Sequence, residues 1–301
     1  MSFHVIVGAG ATALATARLL AESGERVRLI SRRGTAADHE LVEAIALDAT
    51  DTAALTEASR GATTVFNCAM AAYHTWPTDL PPLFRAILAA AEDGGVERYV
   101  MLGNLYAYGP VDGPVTEDLP LLATGPKGRT RALVWEEALA AHTAGRIRAA
   151  EVRSGQFLGA GAVSSFTLTV APNILAGQLA LTPAAIDTPT GYTAIGDAAR
   201  ALIAVATASD DDAFGRAWHA PATNATVREV AAVLAKVADV PDPKLETLTD
   251  RDVALLSLTS PIWAEFEETH HMSHRPFAVD SSAIQARFGL APTALEEVLR
   301  P

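Results

Sequence analysis

The first thirteen residues constrain the fold most strongly. Phe3-His4-Val5-Ile6-Val7 is a short, apolar, largely β-branched run that passes directly into Gly8-Ala9-Gly10-Ala11-Thr12-Ala13 and then into an amphipathic stretch. Glycine at 8 and 10 lets the backbone turn tightly and approach a ligand closely, and the small Ala13 lets the following helix pack against the strand. A helix starting there aims its N-terminal N–H groups into the turn, where an anion is favoured. A strand, a Gly-x-Gly-x-x-Ala turn and a helix in this order open a βαβ unit that can cradle a dinucleotide pyrophosphate, although a plain structural turn satisfies the same spacing.

The chain repeats this alternation as far as Arg153. Strands are expected near 3–7, 27–30, 44–47, 64–67, 98–102 and 149–153, with helices near 12–23, 52–59, 80–91 and 130–144. Apolar runs alternating with helical periodicity describe an α/β protein with a parallel sheet. Beyond Arg153 the alternation weakens into a stretch marked by Gly155, Gly159 and Gly161, an apolar segment to Leu181, and the phrase Tyr192-Thr193-Ala194-Ile195-Gly196-Asp197. Helices are expected near 197–206, near 226–237 where Thr226 and Glu229 form a capping-box pattern, and at 281–288 and 293–299.

Composition removes several classes of function. With 301 residues, half of them hydrophobic, the chain can bury a large core. A net charge of −12 and only three lysines, Lys127, Lys236 and Lys244, argue against a surface that tracks nucleic-acid phosphates. One cysteine, Cys68, precludes an internal disulfide framework and fits a reducing compartment, so a cytoplasmic protein is expected. No apolar run is long enough to span a bilayer, and no secretory leader is expected at the N-terminus.

The end of the second strand bears on which dinucleotide is bound. An acidic residue there would take the ribose 2′-hydroxyl of NAD, whereas this chain has Ser31-Arg32-Arg33-Gly34, and two guanidiniums suit the 2′-phosphate of NADP. NADP is therefore expected over NAD, and a solvated basic turn is the competing account. Asp48 is placed to accept from the adenine amine, with Asn67, Cys68 and Ala69 lining phosphates and ribose and Gly103 ending the fifth strand beside the cofactor. The cofactor set is Gly8, Gly10, Ala11, Thr12, Ala13, Ser31, Arg32, Arg33, Asp48, Asn67, Cys68, Ala69, Gly103 and Lys127.

Taken together, Gly8 to Ala13, Leu47-Asp48-Ala49-Thr50-Asp51, Asn67-Cys68-Ala69, Tyr108-Gly109-Pro110, Val152-Arg153-Ser154-Gly155 and Thr193-Ala194-Ile195-Gly196-Asp197 resemble the extended short-chain dehydrogenase/reductase superfamily. The branch is that of sugar-nucleotide epimerases, dehydratases and dihydroflavonol reductases, and the ending from Val279-Asp280-Ser281 to Pro292-Thr293 also looks like it. The resemblance implies a doubly wound Rossmann sheet of about seven strands and a smaller C-terminal substrate lobe. It places the Rossmann domain at 1–155, with a returning segment near 187–215, and the lobe mainly at 156–301. A small-molecule substrate and a homodimer are implied as well.

The resemblance also implies a Ser or Thr holding the substrate oxygen, a Tyr acid/base and a Lys four residues later, and here this chain departs. Asn104 stands four residues before Tyr108, where Ser or Thr is expected, and Lys127-Gly128-Arg129-Thr130-Arg131 stands where Tyr-x-x-x-Lys is expected. Lys127 then replaces the Tyr and Arg131 the Lys, with a one-residue shift left open. No Tyr occurs between Tyr108 and Tyr192. Three readings stay open. Lys127 can be the acid/base, since a cationic nicotinamide and Arg131 disfavour its charged form; Tyr106 or Tyr108 can supply the proton beside Asn104; or the protein can bind NADP without turnover, as a redox sensor. An epimerase or dehydratase is a further alternative.

Substrate contacts are expected from Tyr73 and Trp76 after the fourth strand, from Tyr106 and from Phe157, with Phe166 and Trp263 closing the other side. Aromatics in such loops equally cover a core edge. His270-His271-Met272-Ser273-His274 lacks companions at a metal-site spacing and reads as lobe surface or pocket lining. Asp210-Asp211-Asp212 reads as a solvated loop.

Overall fold

A computed structural model describes residues 3–35 and 37–300, which divide into two compact units. The first comprises residues 1–107, 126–153 and 198–218, and the second residues 108–125, 154–197 and 219–301.

The first unit is built on β1 (Phe3–Val7), β2 (Arg26–Ser31), β3 (Val42–Ala46), β4 (Thr64–Asn67), β5 (Arg98–Asn104) and β6 (Arg148–Ser154). Among the described residues the sheet has seven strands, in the order β3-β2-β1-β4-β5-β6 followed by Ala217–His219 at the edge. Pairings of β1 with β2 and β4, of β2 with β3 and of β4 with β5 are parallel. Strand order reverses at β1, so the carboxyl ends of β1 and β4 flank the switch point at which α/β sheets take ligands. Val5, Ile6, Leu29, Ile30, Val65, Phe66, Val100 and Met101 are buried in this sheet, as expected for strands covered on both faces.

Helices α1 (Ala11–Glu22), α2 (Thr52–Ser59), α3 (Trp76–Asp93) and α4 (Pro126–Thr143) belong to this unit. α1 buries Ala13, Ala17 and Leu20, and its small residues bring it close to the sheet. Two helices begin earlier than the sequence suggests. α3 starts at Trp76 instead of near 80 because Pro77 lies in its first turn, where backbone N–H groups have no intrahelical partner. Pro81 and Pro82 each remove a bond, offset by burial of Trp76, Leu80, Phe84 and Ile87. α4 starts at Pro126 instead of near 130, again with proline in the opening turn, which puts Lys127 on the helix.

In the second unit β7 (Gln156–Leu158), β9 (Thr190–Ala194) and β11 (Thr223–Ala225) form one sheet, and β8 (Leu179–Thr182) pairs in parallel with β12 (Lys244–Thr247). These strands, like Ala217–His219 (β10), are too short to show a period of two in the sequence. Phe166, Tyr192, Val230 and Leu234 are buried in the core of this unit. The capping box closes as expected, with Thr226 Oγ1 accepting from the Glu229 N–H at 3.1 Å at the start of the helix Val227–Val237. The buried Asp197 carboxylate accepts from the Thr293 N–H at 2.8 Å and hydroxyl at 2.6 Å, fastening the C-terminal tail. Among the described residues no helix is long and apolar enough to cross a membrane.

Candidate dinucleotide and substrate site

The turn after β1 joins both neighbouring strands. The Gly8 N–H donates to the Ile30 carbonyl at 2.8 Å and the Cys68 N–H to the Val7 carbonyl at 2.9 Å. Gly8 has φ +117°, and a Cβ there would lie 2.5 Å from the Cys68 carbonyl oxygen, so glycine at 8 is dictated by the protein itself. Gly10 differs. Its φ of −75° and ψ of 172° suit any residue, and a Cβ there would meet nothing within 4 Å. Packing therefore does not require glycine at 10, whereas a closely approaching pyrophosphate does.

Gly10 is also the N-cap of α1, which has no side-chain cap and no acidic residue in its first turn. The N–H groups of Ala11, Thr12 and Ala13 are those whose helical acceptors lie outside the helix, and a phosphate oxygen is a suitable partner. The residues present thus fit a dinucleotide phosphate.

At the end of β2, Ser31 Oγ accepts from the Thr35 N–H at 3.0 Å and the Ser31 carbonyl from the Gly34 N–H at 3.1 Å, shaping a turn that exposes Arg32 and Arg33. Asp48 is also exposed. Hydrogen bonds from the Thr50 N–H and hydroxyl hold its carboxyl below the ordinary range, and the nearby Arg32 charge adds to the effect. Arg32 and Asp48 therefore face the same region. Asn67 and Cys68 serve the scaffold: Asn67 is fully buried, donates to the Tyr99 hydroxyl at 2.7 Å and accepts from the Ala69 N–H at 3.1 Å. Burial pushes the Cys68 thiol up to about 12, which disfavours its thiolate.

The candidate catalytic residues of the first unit gather beyond β4 and β5. Lys127 and Arg131 share a face of α4, one helical turn apart, and are only 5 % and 2 % exposed. Lys127 Nζ lies 4.7 Å over the Tyr73 ring, and the Tyr73 and Tyr106 hydroxyls are 3.0 Å apart. The Arg131 guanidinium lies 4.8 Å over Trp76 and 5.7 Å over Phe84. It reaches the Leu102 carbonyl at a long 3.4 Å and Met70 Sδ at 3.7 Å, while its Nε has no hydrogen-bond partner among the described residues. Such sparse use of a buried five-donor fork leaves capacity for a ligand oxygen. Burial pulls Arg131 down from its ordinary value, opposed by the Glu151 carboxylate.

Asn104 Oδ1 accepts from the Tyr106 N–H at 3.1 Å, so the amide nitrogen is the end turned to other partners. Trp76 donates from Nε1 to the Ala71 carbonyl at 3.2 Å and meets the Tyr73 ring edge-on at 4.9 Å. The loop residues Tyr73 and Trp76 thus form a 3₁₀ turn, Tyr73–Thr75, and the first turn of α3.

Tyr108 and Phe157 belong to the second unit. Tyr108 is 1 % exposed, and its hydroxyl is 2.7 Å from His219 Nε2. His219 Nδ1 lies 2.8 Å from the Asp280 carbonyl, which can only accept, so Nδ1 carries the proton and Nε2 accepts from Tyr108. Phe157 is half-buried on β7, whereas Phe166 lies in the core. The His270 and His274 rings stack at 3.5 Å.

The sequence did not single out Glu151. It is 1 % exposed on β6, ion-paired with Arg153 at 2.7 Å, and packed against Gly103 so closely that a Cβ at 103 would collide with its carboxylate. Two charges at alternate positions of an apolar strand, in Ala149-Ala150-Glu151-Val152-Arg153, were the available signal.

A family model described as NAD(P)H-binding matches residues 8–142. No curated protein matches the chain. Among solved structures, the UDP-glucuronic acid 4-epimerase of Bacillus cereus, in complex with UDP-glucuronic acid and NAD, is similar at TM-score 0.78 and 16 % identity, covering 98 % of this chain and 96 % of that one. UDP-glucose 4-epimerase of Thermus thermophilus, complexed with NAD, gives 0.76 at 17 % identity over 99 % and 97 %. The dTDP-glucose 4,6-dehydratase of Streptomyces venezuelae, with NAD bound, gives 0.74 at 16 % over 98 % and 95 %. Residues 8–142 are thus similar to NAD(P)H-binding domains, and the chain shares the fold of these epimerases and dehydratases.

Proposed function

We propose that the protein is an NADP-dependent reductase of a small, fairly apolar carbonyl or conjugated compound. The observation that carries this reading is the gathering of Lys127, Tyr73, Tyr106 and Asn104, a buried cation among hydroxyl and amide groups, at the carboxyl end of β5. Bound NADPH would supply hydride. In this reading Asn104 donates from its amide nitrogen to the substrate oxygen, Lys127 Nζ delivers the proton that oxygen takes up, and Arg131 holds a ribose hydroxyl or a phosphate. Tyr73 and Trp76 supply an apolar wall.

The experiment follows NADPH absorbance with purified protein and a panel of aldehydes, ketones and enones. Consumption with at least one of them, abolished by Lys127→Met, is expected. Firm NADPH binding with no consumption across the panel favours a cofactor-binding sensor instead. The similarity to epimerases and dehydratases supports a second reading, in which hydride returns to the substrate and the cofactor is recycled. Turnover of a nucleotide sugar without net NADPH loss would select it.

A further inference from the structure

We propose that Met70 is a site of reversible oxidation by peroxide, and that the buried Arg131 guanidinium captures the oxygen of the resulting sulfoxide. Arg131 Nη2 already donates to Met70 Sδ at 3.7 Å, and a thioether is a weak acceptor. The rest of the fork is poorly served: Nη1 reaches the Leu102 carbonyl at a long 3.4 Å, and Nε has no partner among the described residues. Trp76 and Phe84 offer the cation π-faces, and Glu151, the carboxylate that acts on it, is ion-paired with Arg153. A guanidinium only 2 % exposed therefore lacks a short bond to an oxygen.

Met70 itself is 42 % exposed, whereas Met101 and Met272 are 0 % and 8 % exposed. Hydrogen peroxide transfers one oxygen to Met70 Sδ. The S–O bond forms as the O–O bond breaks, sulfur gives up two electrons, and the second oxygen leaves as water. Methionine is flexible enough to turn the new oxygen toward Arg131, where the polar S–O group accepts a charge-assisted bond that the thioether could not. A thiol-dependent methionine sulfoxide reductase removes that oxygen as water and restores the thioether. Cys68 does not compete as a thiolate, because burial pushes its thiol up to about 12. Where Arg131 holds a ribose hydroxyl or a phosphate, the captured sulfoxide occupies the same donors and weakens NADPH binding, a consequence that rests on the reductase reading.

The test treats the full chain with hydrogen peroxide, then with dithiothreitol to return any oxidised thiol, and reads each methionine by peptide mass spectrometry. Met70 should oxidise at least about tenfold faster than Met101 and Met272. Capture is read without cofactor. Oxidation should raise the parent's melting temperature by about 3 °C, as for one added hydrogen bond to a buried charge, and the sulfoxide reductase should reverse the shift. Oxidised Arg131→Gln should melt no higher than its unoxidised form, and Met70→Leu should not respond to peroxide. If Arg131→Gln does not fold, Met70→Gln supplies the second arm: its amide oxygen stands in for the sulfoxide, so it should melt above Met70→Leu by a similar margin.

Complete oxidation of Met70 with an unchanged or lowered melting temperature would overturn the capture, as would oxidation no faster than at the buried methionines. With cofactor, oxidised parent and Met70→Gln should both bind NADPH about tenfold more weakly by fluorescence titration. A raised melting temperature with unchanged NADPH affinity leaves the capture standing and removes Arg131 from the cofactor site.

Discussion

Glu151 and Arg153 form an ion pair at 2.7 Å, two residues apart on the same face of β6, with both side chains 2 % exposed. Gly103 on β5 and Trp135 on α4 close over it, the Trp135 ring lying 5.9 Å from the Arg153 guanidinium. The Glu151 charge also acts on Arg131, so one carboxylate under the sheet end serves two guanidiniums. Burying a lone charge is expensive, and this arrangement persists only while each charge keeps its opposite.

Neutralising Glu151 should therefore damage the fold more than most single substitutions. Glu151→Gln removes the carboxylate charge that ion-pairs with the buried Arg153 at 2.7 Å, and removal of one partner from such a pair costs about 3–5 kcal/mol. A urea midpoint lowered accordingly, with the slope of the transition unchanged, is the expected result. Gly103→Ala should behave similarly because the new methyl group meets the Glu151 carboxylate. Wild-type stability in Glu151→Gln would mean that the pair is not buried in solution.

Gly8 and Gly10 look equivalent in the sequence and should behave oppositely. Gly8→Ala places a Cβ 2.5 Å from the Cys68 carbonyl at φ +117°, so it should lower the melting temperature by several degrees with or without cofactor. Gly10→Val enters open space, so it should melt within about 2 °C of the parent while weakening NADPH binding at least about tenfold. Fluorescence titration and thermal melts on both variants separate the two roles. If Gly10→Val binds NADPH normally, the pyrophosphate does not lie against this turn.

This pair shows where sequence legibility stops. Strands at 3–7 and 64–67 and the helix at 52–59 were readable to the residue because their apolar periods are unbroken and their ends carry glycine, Asn67 or an Asp51 cap. The starts of α3 and α4 were misplaced because proline signals both a helix stop and a helix first turn. For the candidate site, the sequence names residues but not their pairings. That Lys127 lies over Tyr73, and that Tyr73 meets Tyr106 across 33 positions, depends on how the end of β5 approaches α3 and α4. Local sequence does not encode that approach.

Arg32 and Arg33 decide cofactor preference if the NADP reading holds. Both are exposed at the end of β2, with Arg32 acting on Asp48, so neither is needed to support the core. Changing both to Ala should weaken NADPH binding at least about tenfold, a loss in keeping with a charge-assisted phosphate contact. NADH binding should change less than about twofold, and raising the salt concentration should shrink the parent's preference. Equal losses for the two cofactors in parallel titrations would show that the 2′-phosphate is not recognised there.

His4 makes the first unit acid-sensitive. It is 5 % exposed on β1, its Nδ1 has no hydrogen-bond partner among the described residues, and Phe66 lies 5.8 Å away. Burial lowers its pKa from the ordinary 6.5; Glu25, 3.8 Å from Nε2, opposes the shift, and Arg98 reinforces it. The unfolded chain therefore binds a proton at His4 more readily than the native state does, and stability rises with pH across the interval between the two values. His4's contribution is complete above about pH 6.5 and is lost as pH falls below it. His271 and His274 in the second unit are lowered in the same direction, also chiefly by burial. Urea midpoints taken from pH 7.5 to pH 5.5 should fall in the parent, and His4→Gln, which cannot protonate, should fall less steeply. Parallel curves for the two proteins would assign the acid sensitivity to other groups, because in a matched pair only the His4 proton differs.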